Sequence, residues 1–201
     1  MLTDGGSTMA FLRNLLALIG LAVVAAVAFV WFTYGSQLRG FDEKALATYR
    51  DMAAILLETG NAAEATVWKV PVDEGATPEG VEEAMNFAAN EHNFKNVGEL
   101  PLSDQIQAMT GQPAQFMKIY LYCDPLVAAR MVAYSDAYSA YLPCRITLLQ
   151  DKDGKYWLVT LNMDLMIHGG KTLPPELREE ALEVKAIIQD IMKRGATGEP
   201  F

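Results

Sequence analysis

Histidine and cysteine are both scarce, with two of each in 201 residues. The cysteines, Cys123 and Cys144, form no Cys-x-x-Cys pair, which excludes a zinc ribbon and a thioredoxin-type redox motif. Two readings of them stay open: one disulfide in an oxidising compartment, or two small buried hydrophobes. Neither His92 nor His168 stands in a nucleophile context, so no Ser-His-Asp or Cys-His arrangement can be assembled. Basic residues are outnumbered, 16 Lys and Arg against 25 Asp and Glu, for a formal net charge of −9. Binding a phosphate backbone requires clustered Lys and Arg, and no such run exists, so nucleic acid is excluded as a partner. The phosphate-loop spacing GxxxxGK[ST] is also missing; Gly169-Gly170-Lys171 reads as a strand-exit turn. Asp151-Lys152-Asp153-Gly154 is too short for a calcium loop and reads as a hairpin turn.

Charge is absent altogether from Leu15 to Tyr34 (LLALIGLAVVAAVAFVWFTY). At ~1.5 Å per helical residue this segment spans the ~30 Å hydrocarbon core of a bilayer. Arg13 precedes it, and Trp31 and Tyr34 stand at its far end, where amphipathic rings favour the interface. Ala26-Val27-Ala28 fits a signal-peptidase site, but cleavage there would expose FVWFTYG as an apolar N-terminus. The expectation is therefore an uncleaved, single-pass anchor in the cell membrane. The basic residues Arg39, Lys44 and Arg50 beyond it weigh against export under the positive-inside rule. The signal-anchor form of the N-terminus favours the periplasmic or extracytoplasmic side, and that side is the expectation.

The boundaries that follow are an N-terminal tail at 1–14, a transmembrane helix at 15–34, an amphipathic linker helix within 35–62 and one domain at 63–201. In the linker, Phe41, Ala45, Tyr49, Met52, Leu56 and Leu57 recur near helical spacing before Gly60. Glu64–Val70 is strand-like, and Thr77-Pro78 supplies an N-cap and first-turn proline for a helix to about His92, with Val81, Met85 and Ala88 as its apolar stripe. A short strand near Asn96–Leu100 and a short helix from Ser103 to Gly111 follow. Phe116–Cys123, Arg145–Gln150 and Tyr156–His168 read as strands, the last two as a hairpin around Gly154. A helical insert carrying Tyr134, Tyr138 and Tyr141 as a stripe joins the first of these to the hairpin. That stripe is either core or a docking surface. After Pro174-Pro175 comes a last helix with Leu177, Ala181, Val184, Ile188 and Ile191 on one face, ended by Gly195. The expected fold is α+β, an antiparallel sheet with helices on one face in β-α-β4-α order, preceded by one transmembrane helix.

Three stretches, NVGELPLSDQIQAMTGQP, YCDP and AYLPCRITLLQDKDGKYWLVTLNMDLMIHGGKTLPPEL, together resemble the domain-of-unknown-function 302 (DUF302) family over roughly Thr66 to Gly195. The resemblance implies a TATA-binding-protein-like β-α-β4-α fold, often paired into homodimers. It implies no catalytic residues, because none are established for the family.

Period-two alternation along Tyr156–His168 places Trp157, Val159, Leu161, Met163, Leu165 and Ile167 on one apolar face, expected to meet the helices. The opposite face is expected to bring Tyr120, Tyr122, Arg145, Thr147, Asn162, Asp164, Met166 and His168 together, free of helices. A wet face or a dimer interface is the plain reading of that set, and a ligand site the sharper one. Met166 and His168, two apart on a strand, project alike and with Cys123 or Cys144 would form a soft set for copper(I) or haem iron. No cofactor follows from these residues alone. The leading expectation is a membrane-tethered, non-catalytic accessory or binding domain, a homodimer or a subunit of a larger membrane complex. The alternative is a small redox or metal/haem-binding protein.

Overall fold

Thirty-four residues, Gly5–Leu38, form helix α1 in the computed structural model, which describes residues 5–199. From Met9 to Leu38 its best window has a mean hydropathy of 2.8 and no burial against protein, so by length and composition it is able to cross a membrane. The chain divides between Phe41 and Asp42 into two compact units, and everything below belongs to the second.

Helix α2 (Ala45–Thr59) ends at Gly60, whose φ of 66° suits a residue without Cβ. The strands are β1 (Val67–Pro71), β2 (Lys95–Pro101), β3 (Met117–Cys123), β4 (Cys144–Gln150) and β5 (Tyr156–Leu161). They form one antiparallel sheet in the order β1-β5-β4-β3-β2. Helix α3 (Pro78–Glu91) links β1 to β2, and α7 (Pro175–Thr197) closes the unit. Shorter helices lie between: α4 (Leu102–Thr110), α5 (Pro125–Tyr134) and α6 (Asp164–His168), with a 3-10 turn at Asp136–Tyr141. The expected α+β fold and its β-α-β4-α order are present, with α4, α5 and α6 as insertions.

Local chemistry sets these boundaries. The Thr77 hydroxyl accepts the Gly80 N–H at 3.1 Å, and Pro78 opens α3. Asp124 caps α5 by accepting from Leu126 and Val127. In the β4–β5 hairpin, Asp151 Oδ1 accepts the N–H groups of Asp153 and Lys155, both at 2.9 Å, while Gly154 takes φ 82°.

Directly paired residues share a face, so register decides the core. Tyr120 pairs with Ile146, Ile146 with Thr160, and Thr160 with Trp68. One step along, Leu148 pairs with Leu158 and Leu158 with Val70. This face meets Val81, Met85 and Ala88 of α3 and Ile188, Ile191 and Met192 of α7, all buried. Gly195 does not end α7. It lies within the helix against α3, where an added Cβ would come 2.4 Å from Met85 Cγ. The helix ends at Gly198 instead.

Two corrections follow. Strand β5 stops at Leu161, because Asn162 Oδ1 accepts the Asp164 N–H at 2.9 Å and turns the chain into α6. The facing of β5 is also the reverse of that expected. Leu158 and Thr160 point at the helices, whereas Trp157, Val159 and Leu161 lie on the other side, half-buried.

Candidate functional site

The polar face expected from alternation does not assemble as one set: Arg145, Asn162 and Met166 line one pocket and Asn162, Asp164 and His168 another, while the rest lie elsewhere. Tyr120 and Tyr122 are fully buried beneath α3, where their hydroxyls donate to Glu82 Oε2 at 3.0 Å and Asn86 Oδ1 at 3.2 Å. Burial and the nearby carboxylates push both phenols far above their ordinary range, so they are core rings with satisfied tips. Arg145 and Thr147 belong to the opposite face, since Tyr122 pairs with Cys144 and Tyr120 with Ile146. Asn162 is in the turn, and Asp164, Met166 and His168 are on α6. Met166 and His168 therefore separate, because residues two apart on a helix do not face each other. Of the expected metal set, Cys123, Cys144 and Met166 line one cavity, and His168 does not join them.

His168 is instead held in a buried charge cluster. Its Nδ1 lies 3.0 Å from Asp42 Oδ1, and since a carboxylate only accepts, Nδ1 is the donor. Both side chains are essentially fully buried. Asp42 Oδ1 also accepts the Lys44 N–H at 3.0 Å, and Oδ2 faces Arg178 Nε at 3.4 Å. Burial alone would raise the Asp42 carboxyl, but the Lys44 amide, His168 and Arg178 together hold it below its ordinary value. The other ring nitrogen, Nε2, lies 3.9 Å from Asp164 Oδ1, and Asp164 is bound by Lys185 at 2.5 Å. Tyr49 adds a 2.6 Å hydrogen bond to the Gly169 carbonyl. An imidazole held on one side by Asp42 and flanked on the other by the Asp164–Lys185 pair suits a clamp that joins the start of α2 to α6 and α7. Asp42 lies 126 residues from His168, and nothing local in the sequence marks the pairing.

The two cysteines are free thiols. Burial first, and then Cys123, push the Cys144 thiol up to about 11, which keeps it protonated at neutral pH and unsuited to nucleophilic chemistry. Met131, Met163 and Met166 share its cavity of about 40 Å³. In the tyrosine stripe, Tyr138 is tied by its hydroxyl to the Met166 carbonyl at 3.1 Å, while Tyr134 and Tyr141 remain exposed.

The second feature is the sheet face turned away from α3 and α7. Val159 pairs with Thr147, Thr147 with Ile119 and Ile119 with Leu100, a row of three apolar residues and one threonine that Lys69 continues on β1, with the exposed Arg145 opposite Leu121 on the same face. Trp157, Leu149, Leu161 and Leu121 flank that row. Trp157 Nε1 donates to Asp151 at 2.7 Å, and the Lys69 ammonium stands 4.3 Å from its ring centroid. Helix α4 packs beside β3, where the Ser103 hydroxyl donates to the Met117 carbonyl at 3.4 Å, and is exposed from Asp104 to Thr110.

The family described as "Domain of unknown function DUF302" matches residues 68–195. A crystal structure of an uncharacterized conserved DUF302 protein from Bacillus stearothermophilus is similar, at 19% identity and a TM-score of 0.52. The match covers 64% of this chain and 97% of that one, and at this identity it concerns the fold. A search of curated proteins returns no match.

Proposed function

The chain belongs to the DUF302 family, and from that premise we propose that it is a membrane-tethered, non-catalytic interaction domain whose open sheet face pairs with a second copy of itself. The observation that carries this reading is the mainly apolar row Leu100, Ile119, Thr147 and Val159, bordered by Lys69 and Arg145, on a face turned away from α3 and α7. Five strands ~4.8 Å apart and about six residues long give a face of roughly 24 by 20 Å. With side-chain relief, that approaches the ~800 Å² per partner of a standard interface. Anchoring by α1 supports the same occupant, because two copies confined to one bilayer meet at raised effective concentration.

The test is the mass of the detergent-solubilised full chain by light scattering. Wild type should be dimeric, and Val159→Lys with Leu161→Lys should shift it to monomer while far-UV circular dichroism stays unchanged. A monomeric wild type, or a double variant that stays dimeric, defeats the proposal.

The anchor reading places the domain on the extracytoplasmic side. The full chain should resist carbonate extraction, and in intact spheroplasts external protease should degrade the domain. Protection of the domain until the membrane is opened would reverse the sidedness, and release by carbonate would remove the anchor.

A further inference from the structure

The cavity beneath α5 is lined by five sulfur-bearing side chains, Cys123, Met131, Cys144, Met163 and Met166. Cys144, Met163 and Met166 line both this cavity of about 40 Å³ and an adjoining one of about 20 Å³. Met131 closes the larger cavity from α5, and Cys123 stands at the end of β3. Methionine ordinarily fills irregular core gaps by virtue of its flexibility. Here three thioethers and two thiols, Cys123 and Cys144, line space that none of them fills.

The donor set selects the ligand. Among the described residues no group of three or more His, Cys, Asp or Glu side chains is arranged to hold a metal ion, so hard and borderline ions that need carboxylate or imidazole shells lack a site. Thiolate and thioether donors suit soft d10 ions. The larger cavity is otherwise walled mainly by apolar side chains such as Val127, Leu142, Ala181 and Val184, with Asp124 also in its lining and Arg145 and Asn162 in that of the adjoining one, and the apolar walls add a charge constraint. A buried ion must be neutralised within its own shell. Cys144 is the one thiol that lines both cavities, so an ion at their junction meets one thiolate and two thioethers, which neutralise a monovalent cation and leave a divalent one with excess charge. We propose that Cys144, Met163 and Met166 form a binding site for a monovalent soft cation, Cu⁺ or Ag⁺, with Met131 available as a fourth donor. On binding, the Cys144 S–H bond breaks, its proton leaves to solvent, and the thiolate–metal bond takes its place with no change of oxidation state.

This site is separate from the sheet face and stands or falls independently of the dimer. The test uses the reduced full chain in mild detergent under anaerobic conditions, titrated with Cu⁺ against a chromogenic Cu⁺ chelator. Wild type should withdraw one equivalent per chain. Met163→Leu with Met166→Leu conserves volume, leaves both thiols in place, and, because it removes two direct donors, should weaken binding by more than the about 10- to 100-fold that loss of outer-shell partners alone produces. Cys144→Ser should abolish binding, and Cys123→Ser, at a residue that lines only the larger cavity, should retain one equivalent per chain. X-ray absorption of the Cu⁺-loaded wild type should show a sulfur-only first shell, a readout that does not depend on any variant folding. Failure of the wild type to compete, nitrogen or oxygen in the shell, or wild-type affinity in the double methionine variant would overturn the assignment.

Discussion

Replacing Asp42 by alanine should destabilise the soluble unit by ~3–5 kcal/mol, the range for stripping one partner from a buried charge cluster. The loss is large because three groups depend on this carboxylate: the Lys44 amide, the His168 ring and the Arg178 guanidinium. Without it, a fully buried imidazole donor has nothing to donate to, and Arg178 faces a void. Chemical denaturation of the detergent-solubilised chain, followed by tryptophan fluorescence from Trp68 and Trp157 in the sheet, measures the change. A loss below about 1 kcal/mol, the worth of an exposed pair, would show that the cluster is not the clamp described. The pH dependence has a definite sign. The folded-state value of Asp42 lies below its ordinary 3.8, so its contribution is complete above that ordinary value and drains away as pH falls through the folded-state value. Wild-type stability should therefore decline below about pH 4, and Asp42→Asn, already lacking the charge, should show a shallower acid arm.

Leu158→Ala should cost ~2–5 kcal/mol, because its side chain is fully buried under α7 and truncation leaves a cavity as well as lost transfer energy. Leu161→Ala should cost well under half as much in the monomer, since Leu161 lies half-buried on the open face. Thermal or urea unfolding of the two variants side by side decides the facing of β5. Equal losses would mean that the open face is covered within one chain, and a reversed order would mean that the register is wrong. Because Leu161 belongs to the proposed dimer surface, its deficit should grow with protein concentration, while that of Leu158 should not.

Much of the architecture was legible from local signals. Thr77-Pro78 marks the start of α3, Gly60 and Gly111 mark helix ends, and Asp151 to Gly154 marks the hairpin, because each acts on its own neighbours through a cap or a positive φ. The apolar stripe Leu177, Ala181, Val184, Ile188 and Ile191 is buried on α7, since helical period alone brings those residues to one side. Gly195 misled because an unbranched residue in a helix is also demanded where another helix comes close, and α3 supplies Met85 at that point.

The faces of the sheet were not legible. Alternation along a strand sorts residues into two sets, but which set meets the helices depends on pairing with strands elsewhere in the chain. Tyr120 and Tyr122 looked polar by residue type, yet partners on α3 take their hydroxyls and release the rings to the core. Asn162 ended β5 through a side-chain bond to the next turn, which rotated Met166 and His168 away from each other. Contacts within a few residues specify the uncharged helix of Leu15–Tyr34, the order of strands and helices, and the ends of most of them. Long-range packing alone brings His168 to Asp42 and Cys144 to Met163 and Met166, and leaves the Trp157, Val159 and Leu161 side of β5 turned away from α3 and α7. Those choices rest on pairings between distant segments, whose geometry no local pattern encodes.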